Sequence, residues 1–268
     1  MKIFISGLGL IGGSMARGFS FFTKHEVYGY DPDPEACRLA KVAGACVETF
    51  TEMPELDKYD VIIPAAFPMA NLNLLESGRI PAGKIVVDLG GIKRRICEVG
   101  FAAAEKGKFT FIGGHPMAGT QFSGFSASRE NLFKGATMLL VPREGEDEAM
   151  LEKVRNLFLE VGFARVKLTD AATHDRIIAF TSQLPHIVSA AYAKSPTAKE
   201  HEGFSAGSFR DLTRVAKLNE GMWSELFLED RDYLIPEIER MAKTMLAMAD
   251  ALREGEIDRL IEELRVEL

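Results

Sequence analysis

His115, Ser182, His186 and Arg214 are the side chains of this sequence best suited to acid–base and anion chemistry. His115 stands in the run GGHPMAGT (Gly113–Thr120), between glycines and a proline and just after an apolar run of strand character. Ligands bind at strand ends in open α/β sheets, and an imidazole there can titrate near neutrality and serve as base or acid. A histidine in a Gly/Pro loop can equally do no more than shape a turn, and the local sequence leaves both readings open. TSQLPH places Ser182 and His186 four residues apart, near one face if helical, with Pro185 disturbing that turn. FRDLTRVAKLNEGMW carries Arg210, Asp211, Arg214, Lys217 and Trp223. Each of these also has a plain structural reading. His186 could be a satisfied core histidine, the two arginines a solvated helix face, and Trp223 packing within a helical half. The histidines fall in no H-E-x-x-H or clustered carboxylate–histidine pattern, so no metal site is expected.

A second constellation lies at the N-terminus. GLGLIGGS gives Gly7-x-Gly9-x-x-Gly12 directly after an apolar run and at the start of a helical pattern. Gly7 permits the tight turn, Gly9 allows backbone to approach a pyrophosphate, and Gly12 allows close helix–strand packing. Leu8, Leu10 and Ile11 complete the loop and the helix N-terminus, whose unpaired N–H groups can face phosphates. Asp31 follows nineteen residues after Gly12, at the end of the next strand-like run, VYGYD. A carboxylate there can accept hydrogen bonds from ribose hydroxyls and repels a 2′-phosphate. Lys24 and Arg38 lie outside that loop, so NAD is expected rather than NADP.

The elements that must position these groups alternate in period. Strands are predicted at Lys2–Ser6, Val27–Tyr30, Val61–Pro64, Ile85–Asp88, Thr110–Gly113, Thr137–Val141 and Ala164–Leu168, with helices at Ile11–Phe19, Pro34–Ala43, Ile92–Lys106 and Glu146–Val161. Apolar strands separated by helical periods indicate βαβ units and a parallel sheet covered on both faces. From Thr169 onward strand-like runs vanish and helical periods take over, as in Ile235, Ile238, Met241, Met245, Met248 and Leu252. The expected organisation is α/β: an N-terminal Rossmann-type parallel-sheet domain over residues 1–168, then an all-α dimerisation domain over 169–268. The helical half carries more apolar surface than it could bury alone, which predicts a symmetric homodimer with the methionine stripe in core or interface.

Bulk properties narrow the function class. At 268 residues, 47% hydrophobic and 26% charged, the chain is an ordinary globular sequence long enough for two modest domains. A net charge of −7 argues against nucleic acid as a partner. No apolar run approaches a membrane span, and MKIFISGLGL reads as a strand and a glycine turn rather than a targeting peptide. Cys37, Cys46 and Cys97 are odd in number and widely spaced, the pattern of reduced structural thiols in a cytoplasmic protein.

Taken together, GLGLIGGS, DLGGIK (Asp88–Lys93), GGHPMAGT, HDRIIAFTSQLPH (His174–His186) and FRDLTR followed by a tryptophan make the chain resemble the prephenate/arogenate dehydrogenases of tyrosine biosynthesis over essentially its full length. HPMAG combined with S-x-L-P-H and the arginine motif is what makes the resemblance specific. It implies an NAD-dependent oxidative decarboxylation of prephenate, or of arogenate to give tyrosine directly. It implies His115 as the base on the C4 hydroxyl, Arg214 as the partner of a substrate carboxylate, and Ser182 and His186 lining the substrate side. The chain departs from the family pattern at Gly91, where serine is common, at Gln121 and Phe122, where an acidic residue and a lysine are common, and at Gln183, where histidine is usual. Two rivals remain. A β-hydroxyacid dehydrogenase would place a catalytic lysine early in the helical half, whereas Lys194 and Lys199 come late. A non-catalytic NAD-binding sensor would need neither His115 nor Arg214.

Overall fold

Along β1 (Lys2–Ser6) successive side chains point to opposite faces, as strand geometry requires. Ile3 and Ile5 enter one hydrophobic core while Phe4 enters another on the far side. The sheet they divide has eight strands in the order β3-β2-β1-β4-β5-β6-β7-β8, with β2 (Glu26–Tyr30), β3 (Glu48–Phe50), β4 (Val61–Pro64), β5 (Ile85–Val87), β6 (Thr110–Pro116), β7 (Thr137–Val141) and β8 (Arg165–Leu168). The first six strands pair in parallel in the order of a dinucleotide-binding fold. Helices α1 (Leu10–Phe22), α2 (Pro34–Val42), α3 (Pro68–Glu76), α4 (Arg94–Gly107) and α5 (Glu148–Leu159) alternate with the strands. Met15 and Phe19 of α1, Ala36 and Ala40 of α2, and Val154 and Phe158 of α5 fill the first core, while Leu72 and Leu75 of α3 and Ile96 of α4 fill the second.

This computed structural model describes residues 1–266. They form two units, one of Met1–Asp175 with Lys217–Glu229, the other of Arg176–Ala216 with the chain from Asp230 onward. The first unit takes in the start of α6 (Ala171–Ile178) and also α9 (Glu220–Glu229), which packs on α3. In the second, a π-helical turn at Ala179–Gln183 leads into α7 (Leu184–Ala193), followed by α8 (Gly207–Thr213), α10 (Arg231–Glu254) and α11 (Ile257–Leu264). Ile235, Met245, Leu246 and Leu252 of α10 and Ile257, Ile261 and Leu264 of α11 are exposed. No helix among the described residues is long and apolar enough to cross a membrane.

Three features depart from the sequence reading. The short β3 and the helix α3 are not anticipated, because each offers too few periodic positions to register. Strand β6 does not stop at Gly113 but runs to Pro116, since β7 pairs with it antiparallel across Gly113–Pro116. His115 therefore lies within a strand, opposite Leu139, instead of in a loop, and the sheet is parallel-dominated but mixed. All three cysteines are buried and unpaired, and burial raises the Cys46 and Cys97 thiols to about 12, which suits inert packing thiols.

The glycine loop is fixed by contact distances. Gly7 has φ +100°, donates its N–H to the Tyr30 carbonyl at 2.7 Å, and has no room for a Cβ, which would lie 2.7 Å from the Ala66 nitrogen. A Cβ on Gly12 would lie 1.8 Å from the Gly7 carbonyl oxygen, whereas one on Gly9 would meet nothing within 4 Å. Gly12→Ala is therefore expected to lower unfolding free energy by about 1–3 kcal/mol, and Gly9→Ala, which meets no atom and loses only the preference for glycine over alanine at a helix N-cap, by less, about 0.5–1 kcal/mol. Urea midpoints check this, and equal midpoints for the two variants would refute the packing argument.

Candidate active site

The parallel strands bring the ends of β1 and β2 to one edge of the sheet, where a topological switch point opens between β1 and β4. The loop after β1 holds the glycines, and α1 begins there with Gly9 as its N-cap. The first turn of a helix leaves its N–H groups without helical partners, and Gly13, at 2.8 Å from the Gly9 carbonyl, is the first to return to the ladder. Asp31 follows β2 and is anchored on both oxygens, Oδ2 accepting the Leu8 N–H at 2.8 Å and Oδ1 the Asp33 N–H at 2.9 Å. Each oxygen keeps a lone pair for a hydroxyl. Leu8 itself is wholly buried, so among the loop residues it supports the turn through its side chain and holds Asp31 through its N–H. Arg38 is engaged on the surface with Glu35 through two bonds of 2.7 Å.

His115, near the end of β6, is half-buried, and its Nδ1 lies 2.9 Å from Nε2 of the fully buried His174. His174 Nδ1 in turn lies 2.7 Å from Oδ1 of Asp175. Asp175 is buried and takes the backbone N–H groups of Lys93 at 2.7 Å and Arg94 at 2.8 Å, with Arg94 Nε at 3.3 Å. It thus caps the start of α4 from more than eighty residues away in sequence. Behind it, Lys93 Nζ donates to Asp88 Oδ2 at 2.6 Å, both side chains wholly buried. Asp88 also accepts the Gly90 N–H at 2.8 Å and the Gly114 N–H at 3.0 Å, tying the end of β5 to the residue beside His115. A buried ion pair is tolerated only with its remaining valences filled in this way.

These surroundings set the charge states. Burial, then the neighbouring His174 ring and the Lys93 cation, hold the pKa of His115 well below the ordinary imidazole value of 6.5. Burial likewise lowers His174, against the opposing pull of its bond to Asp175. For Asp175 burial acts upward, but the bonds from His174, Arg94 and Lys93 outweigh it and the carboxyl is lowered. Both rings are neutral and the acid ionised near pH 7. Among the described residues no cluster of His, Cys, Asp and Glu is arranged to hold a metal ion.

The other candidates sit in the helical unit. Ser182 lies in the π-helical turn that runs without a break into α7, whose second residue is Pro185. His186 Nδ1 donates to the Val215 carbonyl at 3.0 Å, which fixes its tautomer, and burial lowers its pKa, with the Arg214 cation adding to that effect. Arg214 caps the end of α8 and is exposed, and Ser189 Oγ donates to the Leu212 carbonyl at 2.5 Å, fastening α7 to α8. Gln183 is buried, donating to Asp230 Oδ2 at 3.0 Å; it belongs to the interior and not to an entrance. Trp223 packs beside Phe227 on α9 in a tilted arrangement, with ring centroids 5.2 Å apart, and that helix belongs with the sheet unit rather than the helical one. The structure thus brings His186 beside Arg214 in one unit and His115 beside His174 in the other. Sequence reasoning gave His174, Asp175, Lys93 and Asp88 no role, although all four sit in motifs it singled out.

Residues 20–168 match the family model for the prephenate dehydrogenase nucleotide-binding domain, beginning after the glycine loop. Residues 170–266 match the model for the prephenate dehydrogenase dimerization domain. A prephenate dehydrogenase of Lactococcus lactis subsp. cremoris is 31% identical over 90% of this chain and 68% of its own length. Among solved structures, prephenate dehydrogenase from Aquifex aeolicus in complex with hydroxyphenyl propionate and NAD+ aligns with a TM-score of 0.86 at 29% identity, covering 98% of this chain and 94% of that one. Synechocystis arogenate dehydrogenase aligns at 0.79 and 27% identity, covering 98% and 96%. Matched through its sheet half and its helical half alike, the chain belongs to the prephenate dehydrogenase family.

Proposed function

We propose that this chain catalyses the NAD-dependent oxidative decarboxylation of prephenate to 4-hydroxyphenylpyruvate, with residues 1–168 as its nucleotide-binding part and 169–268 as its substrate and dimerisation part (residues 267 and 268 lie outside the described residues). The observation that carries the reading is a neutral, positioned imidazole, His115, at the end of a strand in a sheet whose edge also holds the glycine loop. The residues present fit the cofactor. The open space over Gly9, the free first turn of α1 and the anchored Asp31 carboxylate suit a pyrophosphate and a ribose without a 2′-phosphate. When bound, NAD+ supplies the hydride acceptor.

The chain's own groups account for the rest. His115 accepts the C4 hydroxyl proton as the carbonyl develops, the C4 hydride leaves, and the C1 carboxylate departs as CO2 while the ring becomes aromatic. The proton then returns to the phenolate oxygen. Aromatisation supplies the driving force, so the protein's contribution is mainly positioning and proton transfer. Arg214 offers a planar fork to a substrate carboxylate, and Ser182 and His186 line the substrate side, His186 with a tautomer fixed by Val215. The exposed apolar residues of α10 and α11 suit self-association as a homodimer. A small anionic substrate, reduced buried thiols and a net charge of −7 suit a cytoplasmic enzyme without nucleic-acid or membrane partners.

The test is direct: purified chain, NAD+, and prephenate or arogenate, followed by NADH absorbance. Turnover of prephenate is expected; turnover of arogenate alone would reassign the substrate, and turnover of neither would leave an NAD-binding sensor. His115→Asn is expected to cut kcat by about 10²- to 10⁴-fold while NAD+ affinity measured by calorimetry is kept. Because the His115 pKa lies below 6.5, neutral base persists as pH falls through that value. The acid limb of kcat/KM is therefore expected below pH 6.5, and a limb centred above it would count against His115. Arg214→Ala is expected mainly to raise KM, by about 10-fold or more, as loss of a ground-state carboxylate contact does; an unchanged KM would make the arginine structural.

A further inference from the structure

We propose that His174 and Asp175 are a positioning pair that keeps the proton of His115 on Nδ1 and so leaves Nε2 as its basic atom. The inference rests on the reading of His115 as the base, and it follows from donor and acceptor bookkeeping along one buried line. Asp175 sits among donors only: the N–H of Lys93 on Oδ1, and the N–H and Nε of Arg94 on Oδ2. A carboxylate so surrounded is an acceptor, so the 2.7 Å contact to His174 Nδ1 requires the proton on that nitrogen. A neutral His174 then has a lone pair on Nε2, and the 2.9 Å contact to His115 Nδ1 requires His115 to be the donor. His115 Nε2 is left with the lone pair. Burial of both rings and the Lys93 cation favour their neutral forms. Lys93, Asp88 and Asp175 are the charged groups that bear on the two rings; Lys93 and Asp88 are bonded to each other, and Asp175 takes the N–H groups of Lys93 and Arg94.

Gly91, where the family pattern commonly has serine, has no hydroxyl with which to orient His115. Here the orienting partner comes from α6 instead, through a ring held between β6 and the N-terminus of α4. When His115 takes the substrate proton on Nε2 it becomes an imidazolium whose Nδ1–H still points at His174. The Asp175 carboxylate then lies one ring further on, 2.7 Å from His174 Nδ1. This is the logic by which an acidic residue holds a catalytic histidine in its working tautomer.

Histidine-selective ¹⁵N labelling with long-range ¹H–¹⁵N NMR reads the tautomer in the free protein, with His115→Asn to assign the signals. Both His115 and His174 are expected as Nδ1–H with unprotonated Nε2. In His174→Phe, which removes the acceptor but keeps the bulk, His115 is expected to shift toward Nε2–H. The kcat for prephenate should then fall by at least about 10-fold, within the ceiling of about 10⁴ for loss of a working tautomer, with NAD+ affinity unchanged. His174→Gln, whose Oε1 can accept the same bond, should recover most of that loss. An Nε2–H tautomer for His115 in the wild-type chain overturns the proposal, even if no variant folds. So does a His174→Phe protein with unchanged tautomer and kcat. An Nδ1–H tautomer in a chain that turns over neither prephenate nor arogenate would support the pair while removing the proposed substrate.

Discussion

A single buried carboxylate organises the part of the sheet unit that carries His115. Asp175 closes the open N-terminus of α4 by accepting the Lys93 and Arg94 N–H groups, and its Oδ1 also anchors His174. Burying a charge away from water is costly unless every valence is met, and here the helix N-terminus offers both hydrogen bonds and a favourable dipole. The position of α6, the orientation of His174 and through it the setting of His115 all depend on that closure. Moving the carboxylate would at once reopen the helix end and leave two neutral rings without a defined proton arrangement.

A second buried charge complements the first. The Lys93 backbone meets Asp175 while its side chain meets Asp88, and Asp88 holds the Gly114 N–H beside His115. The start of α4 therefore joins the end of β5, the end of β6 and the beginning of α6. Antiparallel pairing with β7 extends β6 through His115 and gives its backbone the rigidity of a ladder. A side chain carried on a strand and braced by two ion-paired elements is held more tightly than one on a loop.

Much of this was legible in the sequence. Strand and helix periods marked most sheet elements, because β1, β4 and β7 carry apolar runs that only a covered sheet can bury. The glycine spacing marked the tight turn between β1 and α1, because Gly7 and Gly12 answer to steric limits that no larger residue meets. His115 stood out by its neighbours. What escaped were elements too short to show a period, β3 and α3, and the true end of β6, which is set by a partner strand more than twenty residues away in sequence. Gln183 stood out only as a departure from the family pattern; that it is a buried donor to Asp230 is decided by how the π-helical turn winds before Pro185.

The sequence by itself determined the fold class, the glycine turn after the first strand, and the family, since these depend on local periodicity, glycine sterics and contiguous motifs. Only the tertiary structure decided that His115 belongs to a strand, that His174 and Asp175 stand behind it, and that Lys93 and Asp88 form a buried pair. The physical reason is that hydrogen bonds between buried polar groups are chosen by proximity in space. Asp175 meets the head of α4 and His174 meets His115 across separations in the chain that no residue spacing encodes.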